Sequence, residues 1–239
     1  MGRRSARREE GALVLESASL AEVAVQAGHE LEAIYVPEGA PPPRGVLAGA
    51  PCATLAPGVL ERVATTEAPQ PLLAVVRYRS AGPEVLTDAG FVVVAVGLSD
   101  PGNLGTILRT AEAAGADAVV LTPDTVDATN PKVVRASAGA LFLVPVVDHV
   151  ELGELPAAGL RILGTSAASG TPYTDADLTG RVALAVGNEA HGLPADAPVD
   201  GWLTIPHAGR AESLNAAMAA AVVCFEAARQ RRAKAGHLG

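Results

Sequence analysis

Three features of the sequence predict an α/β fold, with a parallel sheet in its larger part and a smaller α/β unit before it. From residue 91 onward, fully apolar short runs recur at 91–98, 118–122, 142–147, 161–165, 182–186 and 202–205, with helical patterns between several of them. Strands that are apolar on both faces belong inside a parallel sheet covered on either side. The apolar rhythm breaks at 77–90, RYRSAGPEVLTDAG, where Gly82-Pro83 marks an inter-domain linker. Hydrophobic residues make up 49% of the chain and aromatic ones only 3%, so the composition is globular and the core aliphatic.

In the first unit, 12–16 (ALVLE), 32–36 (EAIYV) and 72–76 (LLAVV) read as short buried strands, and 18–28 and 57–64 as helices. The segment VPEGAPPPRG at 36–45 is a loop, because its prolines and glycines continue neither kind of element. The expected boundaries are 1–80 for the small domain, 81–90 for the linker and 91–239 for the larger domain. After the run FVVVAVGL comes SDPGNLGTILRTAEAAGADAVVL (99–121). Asn103 is expected to cap a helix there, with Leu104, Ile107, Leu108 and Ala111 as its apolar stripe and Gly115 as its stop. Gly102 and Gly105 suit a tight turn at its start. The last element, 213–233, has the strongest helical period: Leu214, Ala217, Met218, Ala221, Val222, Phe225 and Ala228 are expected to face the core. Ser213 is the favoured cap of that helix, and Asn215 is not needed as one.

The formal net charge is −8, which argues against a nucleic-acid binder when taken as a sum. The distribution differs: Arg3, Arg4, Arg7 and Arg8 crowd one end and Arg229, Arg231, Arg232 and Lys234 the other. The longest apolar runs fall short of the ~20 residues that span a bilayer. MGRRSARREE has no apolar stretch behind it, so no export signal is expected, and Ala6 breaks the myristoylation pattern. Cys52 and Cys224 stand alone, which excludes a disulfide framework and metal-ligand spacing.

Ligands of parallel sheets sit at the carboxyl ends of strands, so the loops after 98, 122, 165, 186 and 205 are the ones to inspect. Gly102 and Gly105 are spaced G-x-x-G, and neither the dinucleotide fingerprint, nor the Walker pattern, nor a G-x-S-x-G elbow occurs. Arg109 lies roughly 150° from the centre of the apolar stripe. The spacing leaves it as either a solvated arginine or an anion clamp. In VGNEAHGLP (186–194), Gly187 lets backbone approach a ligand and Glu189 follows it. In IPHAGRAESLNAAMAAA (205–221), Ser213 and Asn215 open the last helix, where polar groups also hold anions.

Together DPGNLGTILRTAEAAGAD, VGNEAHGLP and IPHAGRAESLNAAMA resemble, in order and spacing, motifs one, two and three of the SpoU (TrmH-like) RNA 2′-O-ribose methyltransferases of the SPOUT superfamily. NPKVVRASAGALFLVPV (130–146) resembles the segment between motifs one and two. The resemblance covers 91–230 closely. The first 76 residues resemble the family's small L30e-like RNA-binding domain more loosely, and LVLES stands where the family usually ends a strand on glycine.

The isolated cysteines lead to the expectation of a reducing cytoplasm and no metal, and the short apolar runs to that of no membrane. The resemblance implies a deep C-terminal trefoil knot, a homodimer and S-adenosyl-L-methionine as methyl donor. It places the cofactor on Gly187, Ile205 and Leu214, with Thr165 of the GTSA loop. It implies transfer to a ribose hydroxyl of rRNA or tRNA through five residues. Arg109 would act with an RNA phosphate to activate the hydroxyl, and Asn103 would orient the ribose or Arg109. Glu189 would accept from Arg109 or fix its loop, and Ser213 and Asn215 would position nucleophile and cofactor. RNA contacts are expected from Arg3, Arg4, Arg7, Arg8, Lys132 and Arg135, and structural or rim roles from His191 and His207. A catalytically idle RNA-binding relative and a base methyltransferase on the same knot are the alternatives.

Overall fold

The apolar runs become strands where both of their faces find cover. The computed structural model describes residues 7, 9–65, 69–210 and 212–236. In the first unit β1 (Ala12–Leu15), β2 (Leu31–Pro37), β3 (Cys52–Leu55) and β4 (Leu73–Arg77) form one sheet in the order β1-β4-β2-β3. β4 is antiparallel to both neighbours, and β2 and β3 run parallel. Helices α1 (Ala18–Gln26) and α2 (Val59–Val63) belong to this unit, with Ala21 and Ala24 of α1 fully buried.

The second sheet is parallel throughout. Its strands are β5 (Phe91–Ala95), β6 (Ala118–Leu121), β7 (Val146–Asp148), β8 (Arg161–Thr165), β9 (Thr171–Pro172), β10 (Val182–Val186) and β11 (Gly201–Thr204), in the order β7-β6-β5-β10-β8-β11-β9. Every residue of β5, β6 and β10 is buried. Phe91, Val93 and Ala95 face one apolar layer and Val92 and Val94 the other, the period-two alternation of a strand covered on both sides. Helices α3 (Pro101–Ala113), α4 (Pro131–Ala136) and α5 (Ala216–Gly236) complete the unit, and α3 packs on both α4 and α5.

Several elements differ from the sequence reading. The run 142–147 is not one strand: residues 140–142 form a 3-10 turn, and β7 begins only after Pro145, which has no N–H for a ladder. β3 was not expected. It is an edge strand whose Cys52, Ala53 and Thr54 are exposed, so it carries no burial pattern. The last helix starts at Ala216, and its buried face is Ala217, Ala220, Val223, Cys224, Ala227 and Ala228. Leu214, Met218 and Phe225, expected in the core, are 41%, 65% and 49% exposed. The first half of the helix, residues 216–225, is apolar on every side, and its small residues give the closer approach to α3.

Segment 81–90 is tied down. Ala81 N donates to Val146 O, Leu86 and Ala89 are buried, and Arg181 donates to the carbonyls of Leu86, Thr87 and Ala89. The two units meet through an aromatic cluster in which His29 stacks on Tyr78 and meets Phe142 edge-on. Gly139 lies against Val23, with a Cβ there standing 2.9 Å from Val23 Cγ1.

Candidate active site

Three loops converge at the carboxyl ends of β5, β10 and β11. The loop after β10 is folded tightly on itself: a Cβ on Gly187 would stand 2.3 Å from Gly192 C and from Leu193 N, so only glycine fits. Asn188 locks this loop to the end of β5. Its Nδ2 donates to Gly97 O at 2.8 Å, and its Oδ1 accepts from the Ala190 and His191 amides at 2.9 and 3.3 Å. Glu189 is thereby held over the start of α3. It accepts from Ser99 N and Oγ, from Asp100 N at 3.1 Å and from Asn103 Nδ2 at 2.9 Å.

Those partners settle the charge of Glu189. Burial opposes ionisation, but the Asn103 amide and the backbone N–H groups of Glu189, Asp100 and Ser99 outweigh it and hold the carboxyl down at about 2. Glu189 is therefore a fixed anion at neutral pH and not a proton acceptor.

Asn103 does not cap α3. Asp100 does, accepting from Asn103 N at 2.8 Å, with Pro101 in the first turn. The Asn103 side chain is free to join the other loops: Nδ2 serves Glu189, and Oδ1 accepts from Asn215 Nδ2 at 2.9 Å. Asn215 in turn caps α5, its Oδ1 accepting from Ala217 N and Met218 N at 2.9 and 3.2 Å. The cap expected of Ser213 thus belongs to Asn215, and Ser213 is exposed at the cavity rim. Gly102 and Gly105 sit inside α3 and form no turn. Gly105 is where α4 crosses, a Cβ there lying 2.4 Å from Ala136 Cβ.

Arg109 lies on the exposed side of α3, six residues beyond Asn103, with no hydrogen bond or ion pair among the described residues. Glu189 does not hold it; both carboxylate oxygens are taken by residues 99, 100 and 103. Of the expected RNA contacts, Arg3, Arg4 and Arg8 lie outside the described residues. Arg7 is 7% exposed and pairs with Asp127 at 2.8 Å while donating to Thr129, so its guanidinium joins the two units and is not presented to RNA. Arg135 donates to Thr65 Oγ1 at 2.6 Å, and Lys132 is exposed.

A cavity of about 710 Å³ opens between these loops, and Thr165, Gly187, Ile205 and Leu214 all line it. That volume falls in the range of small-molecule sites, ~300–1,000 Å³. The wall mixes aliphatic side chains with the Glu212 carboxylate and Ser213 hydroxyl. Apolar walls with carboxylate and hydroxyl groups among them fit S-adenosylmethionine, which joins a flat adenine to a cationic sulfonium and an ammonium. Among the described residues no group of three or more His, Cys, Asp or Glu could hold a metal ion.

Sequence reading missed Ser99, Asp100 and Asn188. Asp100 was within reach, because an Asp followed by Pro is a helix-start signal. Asn188 and Ser99 act through partners about 90 positions away, and no local pattern marks them.

The chain is similar to known proteins in sequence and in fold. The chain is 37% identical to the 23S rRNA (guanosine(2553)-2′-O)-methyltransferase RlmP of Bacillus subtilis, over 89% of this chain and 86% of that one. Its structure is similar to the SpoU methyltransferase AviRb from Streptomyces viridochromogenes in complex with AdoMet, with TM-score 0.86 and 30% identity over 97% and 94% of the two chains. It is also similar to an RNA 2′-O ribose methyltransferase, with TM-score 0.79 and 34% identity over 96% and 93%. The SpoU rRNA Methylase family model matches residues 90–225, the span that holds all three converging loops, and the chain belongs to that family.

Proposed function

We propose that this protein transfers a methyl group from S-adenosylmethionine to a ribose 2′-hydroxyl of 23S rRNA in the cytoplasm. The observation that carries the reading is the side-chain relay Asn215–Asn103–Glu189, which joins the three loops, with Glu189 on the wall of the donor cavity, while leaving Arg109 unspent on the helix that carries Asn103. The RNA class follows the Bacillus subtilis relative, whose match covers 89% of this chain and 86% of that one.

When bound, the cofactor supplies an electrophilic methyl on sulfonium. The chain supplies position and charge. Gly187 lets the loop after β10 fold back on Gly192 and Leu193, so its missing side chain serves the loop and not a ligand's approach, and that loop forms one wall of the donor site, with Thr165, Ile205 and Leu214 around it. Arg109 grips the phosphate beside the target ribose in the bidentate manner open to guanidinium. The gripped phosphate fixes the ribose so that its hydroxyl lies in line with the methyl, and the hydroxyl proton passes to water as the oxygen attacks. Ser213 at the rim orients the ribose. Glu189 and Asn103 hold Arg109's helix in register with the cofactor loop, and much of the acceleration comes from this positioning.

The fold reading follows. β10 runs between β5 and β8, and the chain after β11 returns to Asn103 before entering α5. We read this return as the closing pass of a trefoil knot, and the four-stranded first unit as an L30e-like RNA-binding domain spanning 1–80. The exposed apolar side of α5 is read as the homodimer contact.

Labelled methyl transfer from S-adenosylmethionine into 23S rRNA, followed by digestion to nucleosides, tests the function. A 2′-O-methyl nucleoside is expected. A methylated base, or label entering tRNA alone, would overturn it.

A further inference from the structure

The described residues leave a second cavity, of about 490 Å³, between the two units. Its floor is one face of the first sheet. Leu13, Leu15, Ile34, Val36, Ala74 and Val76 are buried in the layer that holds α1, so the period of two puts Val14, Tyr35 and Val75 on the opposite face. Val14 and Val75 are partners in the register of β1 and β4. All three line the cavity and are only half-buried, although β4 and β2 are inner strands. Val63 of α2, 54% exposed, forms one wall, and Pro131 and Val134 of α4 form the other.

Two polar struts hold α4 off this sheet, one at each end of β1. Arg7, ahead of β1, pairs with Asp127 at 2.8 Å and donates to Thr129 in the loop before α4. Beyond the other end of β1, Glu16 Oε1 accepts from Thr65 N and Oγ1 at 2.8 and 2.7 Å, and Thr65 Oγ1 accepts from Arg135 of α4 at 2.6 Å. A cleft braced at both ends stays open. Its aliphatic walls and one aromatic ring suit a guest with a flat apolar face.

The surroundings select the guest. Lys132 and Arg62, next in sequence to Pro131 and Val63, are both exposed, and Glu61 is the single acid of α2. The cleft is also reached from Arg109 along α4. Gly105 and Arg109 are four residues apart and share a face of α3, and Gly105 is where α4 crosses at Ala136. Arg109 therefore emerges beside α4, and the residue before Ala136 is Arg135, a brace of the cleft. An RNA strand gripped at Arg109 passes along α4 to this opening.

We propose that the cleft takes an unstacked base of the substrate RNA, from a nucleotide neighbouring the methylated one, packed on Tyr35 between Val63 and Val134. Single-stranded RNA is held in this manner, with bases splayed onto aromatic side chains and cations along the phosphates. The proposal rests on the RNA methyl-transfer reading. It makes Tyr35 a binding residue that selects which stretch of RNA is presented to Arg109.

The test uses the full chain with the photoreactive substitution Tyr35→p-azidophenylalanine and an unmodified 23S rRNA transcript. After irradiation, reverse transcription maps the crosslink and the 2′-O-methyl group on the same RNA. The crosslink is expected at one base within a few nucleotides of the methyl group. A methylated transcript without that crosslink, or with crosslinks scattered along it, overturns the proposal and leaves the methyl-transfer reading standing. A transcript neither methylated nor bound overturns both. Kinetics give a second measurement. Val63→Trp, at an exposed position, fills the cleft, and Tyr35→Ala removes its aromatic floor. Each should raise the KM for the transcript about ten-fold, the scale of one lost base stack, with a smaller change in kcat and unchanged S-adenosylhomocysteine affinity by calorimetry. Tyr35→Phe keeps the ring and should stay within about three-fold of wild type. Wild-type KM in Val63→Trp overturns the proposal, whether or not Tyr35→Ala folds.

Discussion

Asn215 Nδ2 donates to Asn103 Oδ1 at 2.9 Å, across 112 positions of the chain. The same Asn215 side chain caps α5 through Ala217 N and Met218 N, so one residue starts the last helix and ties it to the first motif. Asn215→Ala removes the cap, worth about 1 kcal/mol, and the bridge, worth about 1 kcal/mol. Asn215→Ser keeps a capping oxygen and loses only the bridge. Equilibrium urea unfolding is expected to show about 2 kcal/mol lost in the first and about 1 kcal/mol in the second. No loss in Asn215→Ser would mean that the bridge contributes nothing, and equal losses in the two variants that the cap does not.

Glu189 gives the fold an acid-sensitive anchor. Its carboxyl titrates at about 2 in the folded chain, against an ordinary value of 4.5. A depressed folded value means that the unfolded chain takes up the proton first. The stabilisation is therefore complete above pH 4.5 and is lost as the pH falls from there toward 2. Glu189→Gln cannot titrate, so its deficit relative to wild type should be largest near neutral pH and narrow through that window. Urea midpoints measured against pH check this, and a deficit constant across the window would remove Glu189 as the titrating group. Glu226 and Asp127 are held low as well, so only the difference between variant and wild type is informative.

How much of this was legible depends on what each residue contacts. β5 and β10 were readable because both of their faces are buried and the sequence is apolar throughout. The last helix was readable as a helix, but its orientation was not. Leu214, Met218 and Phe225 are the larger apolar residues, yet Ala217, Ala220 and Ala227 face inward, because close helix packing favours small side chains and periodicity cannot rank two apolar faces. Asn103 looked like a cap because local sequence offers only local partners, and its real partners lie 86 and 112 positions away. The motif resemblance placed Asn103, Glu189 and Asn215 together, and the geometry supplied their connections.

Arg109 is exposed and unpartnered among the described residues, so substituting it should leave the folded protein within about 0.5 kcal/mol of wild type. Its role in phosphate binding predicts a different outcome for catalysis. Arg109→Ala should lose about a hundred-fold or more in kcat, the scale of removing a charge-stabilising donor. Arg109→Lys should still lose at least about ten-fold, because an ammonium keeps the charge without the planar fork. S-adenosylhomocysteine affinity, measured by calorimetry, should be unchanged in both. Full activity in Arg109→Lys would sink the bidentate grip.

Gly105 tests the packing beneath the site. In an open helix Gly→Ala would stabilise by about 1 kcal/mol. Here the added methyl would lie 2.4 Å from Ala136 Cβ and 2.9 Å from Ser137 N, and neither the backbone amide nor the methyl of α4 can swing aside. Overpacking of this kind costs about 1–3 kcal/mol, so Gly105→Ala should be net destabilised by thermal or urea unfolding. Ala136→Gly in the same chain should recover part of the loss. A stabilised single variant would show that α3 and α4 yield easily.

The outer side of α5 carries the homodimer reading. Met218 is 65% and Phe225 49% exposed, and contiguous exposed apolar side chains mark contact surfaces. Charge placed there separates the two roles of the helix. On a free protomer Phe225→Asp faces water and should change stability by no more than about 0.5 kcal/mol. In a buried contact the same carboxylate has no partner and costs several kcal/mol through desolvation. Sedimentation should therefore show wild type as a dimer and the Met218→Lys, Phe225→Asp double variant as a monomer with an unchanged far-UV spectrum. Ala220→Asp, on the buried face, should instead unfold the chain, which distinguishes the contact face from the core face. A double variant that still sediments as a dimer would move the contact off this side of α5.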